Sequence, residues 1–406
     1  MAVSAPFPFN FPLGLTAPQP FYLSVDRDFI EQTQIKVKTW RSPVALHSNW
    51  TNEGPPPDLL QDVAQYWGNE YDWPSVEVSL NHKGNHYATS VPIEGNYSAS
   101  VSLHFVHQQS TNPDAIPLLL LHGWPSTHLE WSKVIEPLVN DDKTPFHVVA
   151  PDLPGFGFSP APTKPGLGPR QNALVMDGLM KQLGYSKYGV ASTDLGWQIA
   201  MWMVRDVESS IIGHITDFFA VSPTDDDLSR FAQNKSTKEE KAYISASNDW
   251  YTSHSAYSTI NAQKPLTLSY GLGDSPVGLL AYIWDLMHMI SDGYKYSYEE
   301  LITDAFMLYM PGPYSNIRSY LEAYKSGMMD FHKNDVPTGV SQWNNANGPF
   351  PELASAQLPP RAWIERSSNL VYFAKHSVGG HFPAVSQPRK WVKDVRTFFS
   401  SVVQSK

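Results

Sequence analysis

The segment KYGVASTDLGWQIAMWMVRDV, residues 187–207, places an acidic residue at the junction of a strand and a helix. KYGVAS (187–192) has the apolar character of a buried strand, and LGWQIAMWMVRDV (195–207) has a helical pattern. Asp194 lies between them among small residues. This is the layout of a nucleophile elbow, a turn so tight that it requires small neighbours and lifts one side chain above the sheet edge. Asp is also a preferred N-cap residue, so this segment alone favours a helix cap over a nucleophile.

Strands and helices alternate on both sides of this segment, which predicts an α/β fold with a mostly parallel central sheet. The predicted strands are 103–107, 116–122, 146–153, 187–192, 214–221, 336–343 and 369–376, and the predicted core helices are 127–139, 169–185, 195–207 and 387–403. The strand at 116–122 is apolar throughout, as expected for a sheet that is covered on both faces.

The alternation is interrupted by a long block with helical patterns only, which we interpret as an inserted lid. The N-terminal part is rich in Pro and Trp, with helices predicted at 26–40 and 57–71, and we interpret it as a wrapping arm without a core of its own. The predicted division is an arm (1–100), a first core part (101–222), a helical lid (223–328) and a second core part (329–406).

Composition excludes several functions. The net charge is −10, which argues against binding to nucleic acid or to an anionic membrane surface, because both need a basic face. The absence of cysteine excludes disulfides, thiolate chemistry and cysteine-ligated metal sites. We find neither a signal peptide nor a stretch that could span a membrane, and we expect a cytoplasmic protein that needs no metal and no cofactor.

Two further motifs are predicted at the same edge of the sheet as Asp194. In HGWP (122–125), Gly123 permits a sharp backbone path into a helix N-terminus, where free N–H groups stabilise negative charge; an ordinary Gly-Pro turn is the alternative. In GGHF (379–382), His381 follows the last strand, at the end where open sheets bind ligands. Most of the 14 histidines are expected to be structural, but His381 follows Asp194 in the chain order of an α/β-hydrolase triad.

The acid that orients the histidine should lie between the last two strands. That segment offers Glu352, in PFPEL, and Glu365, in AWIERS. We prefer Glu352, which lies nearer the preceding strand, and keep Glu365 as the alternative.

Taken together, HGWP, the elbow Asp194, the lid segment 257–283 and GGHF resemble the microsomal-type epoxide hydrolases, particularly their soluble fungal members. The resemblance covers nearly the whole chain, including DWPSVEVSLN (72–81) in the arm. It implies the α/β-hydrolase fold with an inserted lid, and a cis peptide bond between Trp124 and Pro125.

The resemblance also implies a role for each site residue. Asp194 becomes the nucleophile, His381 the water-activating base and Glu352 its charge partner. Tyr257 and Tyr320 become the lid donors to the epoxide oxygen, with Tyr314 and Tyr324 close enough in sequence to replace Tyr320. The other implied site residues are Trp124 and Leu195 in an oxyanion hole, and His122, Gly123, Pro125 and Phe382 against the substrate.

The chain departs from the family pattern beside the nucleophile. Ser192 and Thr193 replace the usual Gly-Gly, and Leu195 replaces the usual Trp, so we expect substrate preference to differ there. The main prediction is hydrolysis of a small-molecule epoxide to a vicinal diol, with a homodimer as the candidate assembly. The alternatives are epoxide opening by an internal hydroxyl, which would give a cyclic ether, and a non-catalytic binding protein on the same fold.

Overall fold

A nine-stranded sheet organises the chain in a computed structural model that describes residues 7–12, 14–46 and 49–404. The spatial order of the strands is β1-β2-β3-β5-β4-β6-β7-β8-β9. Their bounds are β1 Gln19–Pro20, β2 His86–Ile93, β3 Ala99–Gln108, β4 Ile116–Leu121, β5 Phe146–Pro151, β6 Tyr188–Ser192, β7 Ile211–Thr216, β8 Pro337–Trp343 and β9 Asn369–His376.

The sheet is antiparallel at one side and parallel at the other. Strands β1, β2, β3 and β5 pair antiparallel, whereas β5, β4, β6, β7, β8 and β9 pair parallel. The last four residues of β4 and all of β6 are buried, as expected for central strands covered on both faces. The carboxyl ends of β4, β6 and β9 therefore lie at one edge, where HGWP, Asp194 and GGHF follow. The α/β-hydrolase architecture expected from the sequence is confirmed.

Seventeen helices are present in the described residues. Those before the lid are α1 Arg27–Lys38, α2 Pro57–Asn69, α3 Trp73–Lys83, α4 Ile135–Val139, α5 Pro169–Gln182 and α6 Asp194–Asp206. Those between β7 and β8 are α7 Asp225–Ala232, α8 Lys238–Asp249, α9 Ala256–Gln263, α10 Pro265–Asp274, α11 Pro276–Ile290, α12 Tyr298–Tyr309, α13 Pro313–Ile317 and α14 Ser319–Ala323. The last are α15 Arg361–Ile364, α16 Pro383–Ser386 and α17 Pro388–Gln404.

The N-terminal segment both joins the sheet and holds the helices between β7 and β8. Strand β2, which the sequence analysis assigned to the arm, pairs along its whole length with β3. The Trp73 and Phe29 rings both pack against Phe306 of α12, and the Tyr71 hydroxyl lies 3.0 Å from Thr303 Oγ1. The first six residues of the predicted arm lie outside the described residues, and the predicted domain boundaries stay a prediction.

Two predicted elements were wrong in extent. The segment 127–139 forms a short 3₁₀ turn at His128–Trp131 and then α4, because Pro137 has no N–H to donate and is tolerated only in a first helical turn. The strand predicted at 214–221 ends at Thr216, whose hydroxyl donates to the Ser192 carbonyl and accepts the Phe218 N–H. That turn carries Asp217 and Phe218 out of the sheet.

None of the helices in residues 7–12, 14–46 and 49–404 combines the length and the apolar character that crossing a membrane requires.

Candidate active site

Asp194 occupies a strained turn between β6 and α6. Its φ is 44°, in the left-handed region that non-glycine residues rarely adopt and that costs about 1–3 kcal/mol. Two glycines make the turn possible. A Cβ on Gly196 would lie 2.2 Å from the Leu121 carbonyl oxygen, and one on Gly123 would lie 2.3 Å from Asp194 Cβ. The fold therefore holds one carboxylate at the N-terminus of a helix, where its charge is stabilised.

Backbone amides face this carboxylate. The Trp124 N–H donates to Asp194 Oδ1 at 2.9 Å, and the Trp124–Pro125 peptide bond is cis. Leu195 is the second residue of α6, so its N–H belongs to the first turn, where amides have no partner within the helix. These are the two amides that the sequence analysis assigned to an oxyanion hole.

His381 lies on the opposite side of the carboxylate. Its Nε2 is 3.7 Å from Asp194 Oδ2, and its backbone N–H donates to the Ile290 carbonyl at 2.8 Å. The rings of Phe218 and Phe382 pack edge-on against the imidazole. Burial lowers the pKa of His381, and the Asp194 charge opposes this shift only in part. The imidazole is thus held neutral, the state that a general base needs.

The structure contradicts the predicted pairing of Glu352 with His381. Nδ1 of His381 lies 3.1 Å from the side-chain oxygen of Gln357, a neutral amide. Glu352 is on a 3₁₀ turn that directs its carboxylate toward the lid, where Oε1 lies 3.2 Å from His254 Nε2. The alternative, Glu365, is paired with Arg361 at 2.8 Å. The sequence analysis missed Gln357, since a search for a charged partner passes over an amide in the same loop.

Two lid tyrosines face the elbow from above. The Tyr257 ring, on α9, stacks on Trp124 with centroids 5.6 Å apart, and the Tyr320 ring, on α14, meets Trp124 edge-on at the same distance. The two phenol rings are 6.0 Å apart. Burial raises the pKa of both phenols well above the usual range, and the nearby Asp194 charge adds to the shift. Both hydroxyls therefore remain protonated donors.

The alternatives to Tyr320 are less enclosed. Tyr320 is 4% exposed, whereas Tyr314 is 40% and Tyr324 is 58% exposed. The structure thus places Tyr320 beside Tyr257 and Trp124, and leaves Tyr314 at the surface. Tyr324 stacks on the Tyr320 ring with centroids 5.8 Å apart.

The predicted substrate contacts divide into two groups. His122 is fully buried, with Nδ1 2.9 Å from the Gly123 carbonyl and Nε2 accepting the Leu153 N–H at 3.0 Å, so it has no ring nitrogen left for a substrate. This contradicts its predicted role. Gly123 lies against Asp194, and the Phe382 ring packs against His381. The substrate contacts of Gly123, Phe382 and Pro125 stay predictions.

Two buried acids lie beneath the elbow, and the sequence analysis identified neither. Asp217 Oδ2 accepts the Trp391 indole N–H at 2.6 Å, and burial raises the pKa of its carboxyl to about 7. Burial also raises the pKa of Glu130 well above its usual range, with the Asp217 charge adding to the shift. Both acids were hidden from sequence reasoning because Asp217 was assigned to a strand and Glu130 to an amphipathic helix.

One cluster has the composition of a metal site. His104, His128 and Asp152 bring potential ligand atoms within 4.8 Å of one another. The Asp152 carboxylate, however, accepts from Nδ1 of both histidines and from the amides of His128 and Phe158. These hydrogen bonds tie β3, β5 and the HGWP loop together and account for the cluster without a metal.

Comparison with known proteins agrees with this geometry. Residues 18–131 match the family model described as the epoxide hydrolase N terminus, and residues 116–206 match that of the alpha/beta hydrolase fold. A putative epoxide hydrolase of Stigmatella aurantiaca is 29% identical over 94% of this chain and 84% of its own length. Juvenile hormone epoxide hydrolase 2 of Ctenocephalides felis is 27% identical over 95% of this chain and 86% of its own.

Solved structures show the same similarity. The epoxide hydrolase of Aspergillus niger superposes with a TM-score of 0.79 at 25% identity, covering 97% of this chain and 99% of that one. The juvenile hormone epoxide hydrolase of Bombyx mori superposes with a TM-score of 0.85 at 26% identity, covering 96% of each chain. Both similarities extend over the core, the lid and the N-terminal segment.

Proposed function

We propose that this chain, an α/β-hydrolase-fold enzyme of the epoxide hydrolase type, converts an epoxide to a vicinal diol through a covalent ester on Asp194. The observation that carries the mechanism is the arrangement of Asp194 between three groups. One carboxylate oxygen accepts the Trp124 N–H, the other faces His381 at 3.7 Å, and two buried phenols stack over Trp124. Asp194 is thus positioned to attack an epoxide carbon, and His381 is positioned to activate the water that hydrolyses the resulting ester. The two phenols are positioned to donate hydrogen bonds to the epoxide oxygen.

The first step is in-line displacement at an epoxide carbon. A lone pair of the Asp194 carboxylate forms the new C–O bond while the ring C–O bond breaks, and the ring oxygen keeps that electron pair. Tyr257 and Tyr320 donate hydrogen bonds to this oxygen, and a phenol proton is transferred to it. Because burial keeps both phenols protonated, the donors are present throughout the neutral pH range.

The second step is hydrolysis of the ester. His381 Nε2 accepts a proton from water, and the resulting hydroxide attacks the carboxyl carbon of Asp194. The tetrahedral oxyanion is stabilised by the Trp124 and Leu195 amides, each worth about 3 kcal/mol. Collapse breaks the bond between the Asp194 carboxyl carbon and the oxygen that had attacked the epoxide, so this oxygen leaves in the diol and the oxygen from water stays on Asp194. The proton on His381 goes to the leaving alkoxide, and the proton of the new carboxyl group returns to the phenolate, which restores all three groups.

In this step Gln357 takes the position of the triad carboxylate and performs one of its two functions, which is to orient the imidazole. Its side-chain oxygen accepts the Nδ1–H of His381 at 3.1 Å, which fixes the tautomer with a lone pair on Nε2. A neutral amide cannot stabilise the imidazolium by charge, whereas a carboxylate can. The hydrolytic step is therefore expected to limit turnover.

Trapping the ester tests the proposal. His381→Ala should form the ester and fail to hydrolyse it, so intact-protein mass spectrometry after incubation with epoxyoctane should show the protein mass increased by one substrate. Asp194→Asn is the matched control and should show no adduct. An unmodified His381→Ala protein that still makes diol would exclude the covalent route.

A second candidate activity is favoured by the neutral partner of His381. If the base is too weak to hydrolyse an ester, Asp194 could instead take the proton of an internal hydroxyl, whose oxygen attacks the epoxide while a lid tyrosine protonates the ring oxygen. The product would be a cyclic ether isomeric with its substrate. Product mass separates the two reactions, because a diol is heavier than the epoxide by one water and a cyclic ether is not.

A further inference from the structure

The GGHF segment (379–382) packs directly against the end of lid helix α11. The His381 N–H donates to the carbonyl of Ile290, the last residue of α11, at 2.8 Å. A Cβ on Gly380 would lie only 2.4 Å from the same carbonyl oxygen. The backbone of the catalytic base is therefore held by the lid, and the contact is too close for a side chain at position 380.

Asp292, two residues beyond α11, joins the lid to two loops of the core. Its Oδ2 accepts the Gly379 N–H at 2.7 Å, and its Oδ1 accepts the Asn347 N–H at 2.7 Å. Its own N–H donates to Asn345 Oδ1 at 2.8 Å. The first bond holds the loop that carries His381, and the other two hold the loop that follows β8.

The residue type at position 292 suits this junction. Asp292 has a φ of 53°, in the left-handed region, where Asp and Asn are the most common residues after glycine. Non-glycine residues keep this conformation where their surroundings hold them in it, and such residues cluster at functional sites. A carboxylate also accepts N–H hydrogen bonds about twice as strong as those of a neutral acceptor. Asp therefore supplies both the turn and two strong acceptors.

The same helix holds a lid phenol through a separate contact. The Tyr282 hydroxyl, on α11, donates to Asn261 Oδ1 at 2.9 Å and to the Tyr257 carbonyl at 3.3 Å. These bonds do not involve Asp292. Loosening the junction at Asp292 should therefore release the loop of the base and leave the phenol in place.

We propose that Asp292 is a positioning residue for ester hydrolysis, because its carboxylate fixes the GGHF segment on α11 and so sets the place of the His381 imidazole relative to Asp194. The proposal rests on the proposed epoxide hydrolysis. In that mechanism His381 acts only in the second step, as the base for water. Loss of both acceptors should slow ester hydrolysis about 100-fold, the loss expected for a base misplaced by about 1 Å, and change ester formation by less than about threefold.

Two variants separate the hydrogen bonds from the turn. Asp292→Gly keeps the left-handed turn and removes both acceptors, whereas Asp292→Asn keeps the turn and one acceptor oxygen. A rapid-quench single turnover of epoxyoctane, followed by intact-protein mass spectrometry, gives the rates of ester formation and ester decay separately. Ester decay should be slowest in Asp292→Gly and about tenfold slower than normal in Asp292→Asn, with ester formation preserved in both. Asp292→Asn carries the test by itself if the glycine variant does not fold.

Asp141→Gly is the matched control. Asp141 Oδ1 also accepts two backbone amides, those of Lys143 and Thr144, at 2.9 and 2.7 Å. Its turn precedes β5, at the amino ends of the parallel strands and so at the edge of the sheet opposite Asp194. The control should lose stability to urea, as Asp292→Gly does, while both ester rates stay at those of the unaltered chain.

Two results would overturn the proposal: ester decay as fast in the Asp292 variants as in the unaltered chain, or equal losses in ester formation and decay, which would indicate a general loss of structure. The unaltered chain distinguishes these failures from failure of the proposed function. If it forms and hydrolyses the ester while the variants do so equally fast, the covalent mechanism stands and only the role of Asp292 is rejected. If no ester forms on the unaltered chain or on His381→Ala, the proposed function is rejected, and this inference with it.

Discussion

The side-chain oxygen of Gln357 lies 3.1 Å from Nδ1 of His381, the nitrogen that donates to the carboxylate in a catalytic triad. The amide fixes the imidazole tautomer but supplies no negative charge. Burial lowers the pKa of His381, and the neutral Gln357 amide at Nδ1 supplies no charge that would raise it again. We therefore expect the enzyme to work with an unusually weak base.

Restoring the charge should change the pH profile. Gln357→Glu places a carboxylate on Nδ1, which favours the imidazolium and raises the pKa of His381 by about one unit. The neutral base is lost below that pKa, so the acid limb of the kcat profile should move to higher pH by about the same amount. At alkaline pH, kcat should rise, because the cation formed during ester hydrolysis is stabilised.

Glu352→Gln provides the matched control for that profile. Its carboxylate contacts His254 and is 41% exposed, so its removal should leave both limbs of the profile in place. A loss of about a thousandfold in kcat for Glu352→Gln, with no shift for Gln357→Glu, would show that Glu352 is the true partner of His381.

The two lid phenols should contribute separately to ring opening. A hydrogen bond to a developing charge is worth about 1.5–3 kcal/mol, so Tyr257→Phe and Tyr320→Phe should each lower the rate of alkylation by about 10- to 150-fold. Pre-steady-state measurement of ester formation reports this step directly. Tyr314→Phe is the control, since its ring is at the surface, and a loss there equal to that in Tyr320→Phe would contradict the assignment.

Asp217 should make stability depend on pH. Burial raises its folded pKa to about 7, above the value of about 3.9 in an unfolded chain, so the folded state binds the proton more tightly. The carboxyl therefore contributes most stability below pH about 4, and this contribution is lost as pH rises to about 7. Asp217→Asn, whose side-chain oxygen can still accept the Trp391 N–H, removes the cost of the buried charge.

Urea unfolding at pH 5 and pH 8 measures this effect. Relative to the unaltered chain, Asp217→Asn should gain more stability at pH 8 than at pH 5, by an amount on the order of 2–3 kcal/mol. Because the Asp217 charge adds to the raised pKa of Glu130, the difference between the two proteins also contains the change in Glu130 that removal of this charge causes. Equal changes at the two pH values would show that Asp217 is not the group that titrates.

Local sequence patterns predicted the frame of the site well. Small residues around Asp194 and glycines in HGWP and GGHF are required by close backbone approach, and this requirement is visible in the sequence. The pairing of His381 was not predictable in the same way. It depends on the direction of side chains in the loop after β8, and there the Glu352 carboxylate turns to the lid while Gln357 turns to the imidazole.

Asp217 was missed for a similar reason. The predicted strand at 214–221 continues in β-forming residues, but the strand ends at Thr216, whose hydroxyl donates to the Ser192 carbonyl of the neighbouring strand β6 and accepts the local Phe218 N–H. The contact with Ser192 is tertiary, so the apolar pattern could not reveal that Asp217 leaves the sheet.

The covalent role of Asp194 is tested most directly by a single turnover in ¹⁸O-labelled water with the enzyme in excess over the epoxide. The account predicts that the label enters the peptide that carries Asp194, while the diol from this first turnover carries none, because its new oxygen comes from the carboxylate. Label found in the diol and absent from the Asp194 peptide would mean that water attacks the epoxide directly and would contradict the account.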